Sequence, residues 1–94
     1  MVIIFAFQKL DIYNLATEIV KDCYDMTKKF PTKEQYGLIN QMNRAAISIP
    51  SNIAEGMSRN SKKDRIHFLN ISYASLMELV CQVEISQKLG YISE

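Results

Sequence analysis

The sequence predicts an all-α protein, an up-down antiparallel bundle of three long helices. Along three segments, apolar residues recur at steps of three and four, the spacing of an amphipathic helix. Helix-capping residues, glycines and prolines stand between these segments, and no segment alternates like a strand. Ninety-four residues form one domain, 1–94, and 48% of them are hydrophobic. A lone small bundle needs less apolar material, so we expect self-association.

The first helix is predicted from Leu10 to about Lys29. Its apolar positions are Ile12, Tyr13, Leu15, Ala16, Ile19, Val20, Cys23, Tyr24 and Thr27. Phe30 and Pro31 end the helix, because a residue that precedes proline is disfavoured in the α region.

The second helix is predicted from about Lys33 to Glu55. Thr32 suits its N-cap, with Gln35 three residues later in a capping box. The apolar rhythm continues past Pro50, so the prediction is one helix kinked there, with two shorter helices as the alternative. Gly56 is the predicted end of the helix.

The third helix is predicted to start after Ser61, an N-cap with Asp64 at the third helical position, and to end at Gly90. Its length is about 27 residues, or about 40 Å. One broad apolar face is expected to contain Phe68, Leu69, Ser72, Tyr73, Leu76, Leu79, Val80, Val83 and Leu89. Residues 91–94 look like a loop that leads to another helix. A bundle that lacks its fourth member would leave a groove that another chain could fill.

Charge and cysteine content exclude several classes of protein. Eleven Lys and Arg stand against ten Asp and Glu, which gives no strong overall field for nucleic acid or a membrane. Cys23 and Cys81 form no metal pattern and are expected to be free thiols in a reducing cytoplasm. The apolar start, residues 1–7, is too short and lacks the basic flank of a signal peptide. We therefore expect a cytoplasmic protein without a membrane segment.

No group of residues indicates an enzyme. Asp64 and His67 are spaced to chelate on one helical face, but the chain has one histidine and a di-metal bundle needs two such motifs. Cys23 and Cys81 have no evident base beside them, and no glycine-rich phosphate loop occurs. We expect no catalytic residue, metal, cofactor or small-molecule substrate.

The basic residues Arg59, Lys62, Lys63 and Arg65 form the candidate nucleic-acid-binding site. They surround the start of the third helix, where cations oppose the helix dipole, and this placement favours a functional role slightly. A solvated polar turn is the alternative. Arg44, earlier in the chain, either joins this cluster or pairs with a carboxylate such as Glu78 inside the bundle.

A second candidate site is an unusual polar motif inside the second helix. It consists of Arg44, Ser48, Pro50, Ser51, Asn52, Glu55 and Gly56. Proline removes a hydrogen bond from the carbonyl near Ala46, which a serine hydroxyl or a water can replace. The structural interpretation is that these side chains mend the backbone and join neighbouring helices. The functional alternative is that Asn52 and Glu55 contact a ligand.

The chain resembles the bacterial four-helix-bundle family of 23S ribosomal RNA intervening-sequence proteins over nearly its whole length. The specific segment is Ser48-Ile-Pro-Ser-Asn-Ile-Ala-Glu-Gly56. Further matches are Phe30-Pro31, Glu34-Gln35-Tyr36-Gly37-Leu38, Gln41, Arg44 to Ile47, Phe68-Leu69, Ala74 to Leu79 and Leu89-Gly90-Tyr91-Ile92.

The resemblance implies an up-down bundle that assembles into a homo-oligomeric ring, most often a pentamer, without an established enzymatic activity. It also implies a likeness in fold to accessory proteins of diversity-generating retroelements, which join a reverse transcriptase and bind nucleic acid. Members normally carry a fourth helix after the Gly-Tyr-Ile turn, where this sequence ends. We therefore expect a non-enzymatic oligomeric scaffold that binds RNA or a nucleic-acid-processing protein. The alternative is a protein–protein adaptor that does not bind nucleic acid.

Overall fold

The computed structural model describes residues 5–93, which contain three long helices and no strand. Helix α1 is Asp11–Thr27, α2 is Leu38–Met57 and α3 is Lys62–Lys88. Short 3-10 turns at Ala6–Lys9 and Thr32–Glu34 precede α1 and α2. The all-α bundle prediction is confirmed. Two predicted features extend outside the described residues: the apolar start includes residues 1–4, and the predicted final loop includes Glu94.

Helix α1 agrees with its prediction to within two residues at its C-terminal end. Its buried side chains are Ala16, Cys23 and Thr27, which recur at the spacing of one helical face. The Thr27 hydroxyl donates a hydrogen bond to Oδ1 of Asn43 at 3.2 Å. This contact joins the last turn of α1 to α2.

The predicted start of α2 is wrong. Thr32 begins a 3-10 turn and has no capping bond, and α2 starts five residues after Lys33, at Leu38. The preceding Gly37 lies at φ −112° and ψ −108°, outside the helical region. Glu34, which precedes the helix, supplies an acceptor at its start instead, because its Oε1 accepts from the backbone N–H of Leu38 at 3.4 Å.

Helix α2 is continuous through Pro50, so the alternative of two shorter helices is wrong. The helix also passes Gly56 and ends at Met57, which corrects the prediction that Gly56 stops it. The φ of Gly56 is not positive, so it has no terminating role of the usual left-handed kind. Instead, a Cβ at Gly56 would lie 3.2 Å from the carbonyl oxygen of Arg65 and 3.2 Å from Cβ of Phe68. The close approach of α2 and α3 therefore favours a small residue here.

Both predicted ends of α3 are confirmed. Ser61 Oγ accepts a hydrogen bond from the backbone N–H of Asp64 at 3.1 Å, the N-cap geometry. At the other end, Gly90 has φ +80°. Its N–H donates to the carbonyl of Gln87, and the N–H of Tyr91 donates to that of Ser86. These two bonds form a Schellman motif, which needs glycine at the left-handed position.

The face of α3 that packs against α2 differs from the predicted one. Its buried residues are Ser72, Ser75, Leu79, Gln82 and Ser86, whereas Tyr73, Val80 and Leu89 are exposed. Apolar residues lie all around this helix, so their periodicity did not identify the packing face. The buried positions repeat at steps of three and four, and the serines among them allow close approach and hydrogen bonds across the interface.

Helix α2 lies between the other two, because α1 and α3 each pack on it but do not approach each other within the described residues. The core contains Ala16, Cys23, Phe30, Met42, Ala45, Ala46, Ile49, Ile53 and Leu79. The unfilled space between α1 and α3 is an open apolar groove with α2 as its floor. No described helix combines the length and apolar content that a bilayer span requires.

Candidate nucleic-acid interface

The turn between α2 and α3, together with the first turn of α3, carries four exposed cationic side chains, Arg59, Lys62, Lys63 and Arg65. The helix end at Met57 and the capped start after Ser61 hold them within a short segment. We call these four residues the basic turn. The four side chains therefore lie close together at one end of the bundle.

The two arginines of the basic turn make contacts within the protein. Arg59 forms an ion pair with Oε2 of Glu55 at 3.0 Å, and its guanidinium lies 4.8 Å from the centre of the Phe68 ring. Nε of Arg65 donates to the carbonyl oxygen of Arg59 at 2.8 Å. An exposed ion pair contributes at most about 1 kcal/mol, so these contacts orient the turn more than they stabilise the fold.

The two lysines are the cations left for a ligand. Lys62 and Lys63 are exposed at the first two positions of α3, and neither forms an ion pair with a described residue. The neighbouring Asp64 uses its backbone N–H in the Ser61 cap. Backbone N–H groups at a helix start and two ammonium groups beside them suit an anion such as phosphate.

Arg44 does not belong to the basic turn. It is exposed on α2, more than three helical turns before the helix end at Met57. The predicted pairing with Glu78 is wrong, because the ion pairs of the described residues are Lys28 with Asp25 and Arg59 with Glu55. Both Arg44 and Glu78 keep solvent access, so neither charge needs a partner to offset full burial.

The polar motif of α2 connects that helix to α3. The hydroxyls of Ser48 and Ser75 lie 2.7 Å apart, and Ser72 Oγ donates to the carbonyl of Ile49 at 2.8 Å, next to Pro50. Nδ2 of Asn52 donates to both the carbonyl and the hydroxyl oxygen of Ser48, at 2.8 and 2.9 Å. These bonds are of the kind that the structural interpretation of the motif predicts.

The remaining polar residues of the motif face outward. Ser51 and Glu55 are exposed, four residues apart. Glu55 pairs with Arg59, so this part of the motif is continuous with the basic turn. Asn52 is half-buried and directed to its own helix.

Other chemically active groups are dispersed. No group of three metal-ligating side chains occurs within residues 5–93. The ring of His67 packs edge-on against Phe68, with centroids 5.4 Å apart. Cys23 is buried and Cys81 exposed, both as free thiols. Burial raises the pKa of the Cys23 thiol, which holds it in the unreactive protonated form.

A contact between Glu34 and Tyr91 was missed in the sequence. The Tyr91 hydroxyl donates to Oε2 of Glu34 at 2.8 Å, and its ring packs against Phe30 with centroids 5.3 Å apart. This contact fastens the turn after α3 to the link between α1 and α2. The available signal was indirect, since both residues lie in the segments that carried the family resemblance.

The Glu34–Tyr91 bond predicts a pH dependence of stability. The hydrogen bond to Glu34 raises the pKa of Tyr91 above its usual value near 10, and burial and the carboxylate charge act in the same direction. A group with a raised pKa in the folded state stabilises it at lower pH, and this stabilisation is lost as pH rises through the folded pKa. We therefore expect the free energy of unfolding to fall above about pH 10, and Tyr91→Phe to remove part of that fall.

Urea unfolding of the wild type and Tyr91→Phe between about pH 8 and 11 measures this contribution. Ionisation of Cys23 acts in the same direction near pH 9 but is common to both proteins. The control is Tyr36→Phe, since Tyr36 is almost fully exposed. Identical pH profiles for the wild type and Tyr91→Phe would contradict the assignment.

A comparison with protein-family models gives a match over nearly the whole chain. The model described as 23S rRNA-intervening sequence protein matches residues 8–94. No curated protein matches the sequence. The matched range contains all three helices, the basic turn and the polar motif of α2.

Proposed function

Because the chain belongs to the family of 23S rRNA-intervening sequence proteins, we propose that it is a non-enzymatic, oligomeric scaffold that binds RNA or a ribonucleoprotein in the cytoplasm. The basic turn is the contact surface. The observation that supports this most is the pair of exposed lysines at the start of α3, without ion pairs among the described residues, beside two arginines that hold the turn. In a ring of copies, such as a pentamer, the turn would repeat as a positive belt.

Charge reversal at the two lysines tests RNA binding. We expect Lys62→Glu with Lys63→Glu to weaken binding of a fluorescein-labelled single-stranded RNA about tenfold or more at low salt. The logarithmic salt dependence should become shallower by roughly 0.7 for each phosphate that the variant no longer neutralises. Carboxylates at a helix start interact favourably with the dipole, so the substitutions should leave the fold intact. Fluorescence anisotropy across a salt series measures both effects.

The matched control is Lys28→Glu with Lys29→Glu. These lysines are also adjacent and exposed, but they follow the C-terminal end of α1, at the opposite end of the bundle. The variant has the same net charge and should retain more of the wild-type affinity. Equal losses in the two variants, or binding that does not depend on salt, would refute the basic turn as the RNA-binding surface.

Size-exclusion chromatography with light scattering tests the scaffold. The protein has no tryptophan and five tyrosines, so bound RNA would dominate absorbance at 260 nm. We expect a discrete oligomer whose 260 nm absorbance is removed by nuclease or salt. A monomer would refute the oligomeric part of the proposal.

A protein–protein adaptor is the second candidate function. The open apolar groove between α1 and α3 favours it, since large exposed apolar patches mark docking surfaces. An adaptor would keep its partner after charge reversal at Lys62 and Lys63. It would lose the partner when the groove is made polar.

A further inference from the structure

A half-open cavity lies between the C-terminal end of α1 and the N-terminal half of α2. Its volume is about 270 Å³, close to the lower limit of about 300 Å³ for small-molecule sites. None of its lining residues belongs to the open apolar groove between α1 and α3. We call this separate cavity the α1–α2 pocket.

Aromatic rings form part of the wall of the α1–α2 pocket. Phe30 is buried, and its ring is held against Tyr91 with centroids 5.3 Å apart. Tyr24 is 40% exposed, so its ring is accessible from the pocket and from solvent. The aliphatic side chain of Ile39 lies between α1 and α2 in the same wall. A flat ring system suits these walls, because aromatic pairs stabilise each other beyond the area that they bury.

Asn43 gives the pocket a hydrogen-bond donor without a partner. Two donors already bind its Oδ1, the Thr27 hydroxyl at 3.2 Å and the Cys23 thiol at 3.4 Å. These bonds orient the amide, and its Nδ2 has no acceptor among the described residues. Asn43 is half-buried, so a donor left without an acceptor there would cost free energy. The pocket therefore favours a ligand that places a carbonyl oxygen, rather than an amino group, against Nδ2.

The charge of the pocket favours an anion. Lys28 is the one charged residue that lines it. The Nζ of Lys28 lies 3.8 Å from Oδ1 of Asp25, and both side chains are mostly exposed, so this ion pair is weak. Lys29 and Lys33 are exposed nearby and form no ion pair with a described residue. An anionic group at the mouth would meet these ammonium groups without displacing a strong ion pair.

We propose that the α1–α2 pocket binds a free nucleoside monophosphate whose base carries an oxo group, such as uridine monophosphate. The base packs against Tyr24 and Phe30, one of its carbonyl oxygens accepts from Nδ2 of Asn43, and the phosphate lies near Lys28. Aromatic side chains stack on bases, and amide side chains recognise base edges. The small volume favours a mononucleotide over a larger cofactor. This proposal does not rest on RNA binding by the basic turn.

A nucleotide within an RNA chain has the same chemistry as a free nucleotide. The basic turn lies at the other end of the bundle, and from Asn43 to Met57 α2 rises about 21 Å. RNA bound at the basic turn therefore leaves the α1–α2 pocket accessible. We expect uridine monophosphate to bind there without displacing that RNA.

Heteronuclear NMR of the full-length protein tests the pocket. Uridine monophosphate should shift the side-chain amide signal of Asn43 in a saturable way. Cytidine monophosphate has an amino group in place of one oxo group and should bind about threefold to tenfold more weakly, the effect of one hydrogen bond. Equal affinities, or no saturable shift at Asn43, would overturn the proposal. Ribose phosphate that binds as well as uridine monophosphate would also overturn it, since the base would then contribute nothing.

A substitution at Asn43 tests the hydrogen bond to the base. Asn43→Asp keeps an oxygen that accepts from Thr27 but removes the donor, so the preference for uridine monophosphate over cytidine monophosphate should disappear. Asn40→Asp is the matched control, because it makes the same exchange at an exposed position of α2. Circular dichroism checks that both variants fold. A preference that survives in folded Asn43→Asp would overturn the proposal.

A substitution at Lys28 tests the phosphate contact and does not alter the buried part of the pocket. Lys28→Gln should weaken uridine monophosphate about twofold to fivefold and leave uridine unchanged. Lys88→Gln, the same change at an exposed position near the end of α3, should affect neither ligand. Equal losses in the two variants would overturn the phosphate assignment and with it the proposal.

Competition experiments distinguish a free nucleotide from RNA. Saturating uridine monophosphate should leave the fluorescein-labelled RNA bound, and a short oligouridylate should not displace uridine monophosphate from Asn43. Displacement in either experiment would overturn the proposal in favour of an RNA-binding pocket.

Discussion

Replacing Met42 with alanine should lower the free energy of unfolding by about 2–5 kcal/mol, the range for large-to-small changes in a packed core. Met42 has no exposed surface and lies in the middle helix, the one on which α1 and α3 both pack. A protein of this size has a total stability of about 5–14 kcal/mol. The loss is therefore a large fraction of the whole, and a protein near the lower limit would unfold.

Urea unfolding followed by circular dichroism measures the effect, with Met77→Ala as the control. Met77 is exposed on α3, so the same truncation should cost little. The Met42 sulfur also accepts a hydrogen bond from Ser86 at 3.4 Å, but that hydroxyl donates to the carbonyl of Gln82 at 2.8 Å as well. The cost should therefore come mainly from the cavity. A loss below about 1 kcal/mol would show that the core around Met42 is not closely packed.

Replacing Gly56 with valine should destabilise the protein by about 1–3 kcal/mol or more, the range for overpacked interfaces. A Cβ there already reaches 3.2 Å from the backbone oxygen of Arg65, and backbone cannot move aside as a flexible side chain can. Alanine should cost less than valine, because it regains about 1 kcal/mol of helix propensity over glycine. The expected order of stability is wild type or alanine first and valine last.

Gly56→Val also tests whether RNA binding by the basic turn depends on the close packing of α2 against α3. Arg65 and Phe68 belong to the start of α3, so displacement there moves the basic turn. We expect Gly56→Val to reduce RNA affinity even at temperatures where circular dichroism shows a folded protein. Ser51→Val is the control, since it introduces the same side chain at an exposed position of α2. Equal destabilisation by the two substitutions would rule out the close approach at Gly56 as the cause.

The sequence identified the cations of the candidate nucleic-acid interface but did not predict their contacts in the fold. Lys62 and Lys63 are exposed and form no ion pair among the described residues, as a binding surface requires. The use of Arg59 and Arg65 to hold the turn depends on Glu55, Phe68 and a backbone carbonyl that the fold brings together. Arg44 could be assigned to neither the cluster nor a partner until its position on α2 was known.

The sequence by itself determined the features that depend on neighbours along the chain. These include the amphipathic α1, the Ser61 cap, the Gly90 turn and the continuation of α2 through Pro50, because propensity, capping and periodicity act within a few residues. Only the tertiary structure decided where α2 begins, which face of α3 is buried and why Gly56 is glycine. For the buried face of α3 and for Gly56 the cause is a contact between distant segments, the serines of α3 with α2 and the α3 backbone against Gly56. At the start of α2, the Glu34 carboxylate accepts both from the nearby N–H of Leu38 and from the distant Tyr91.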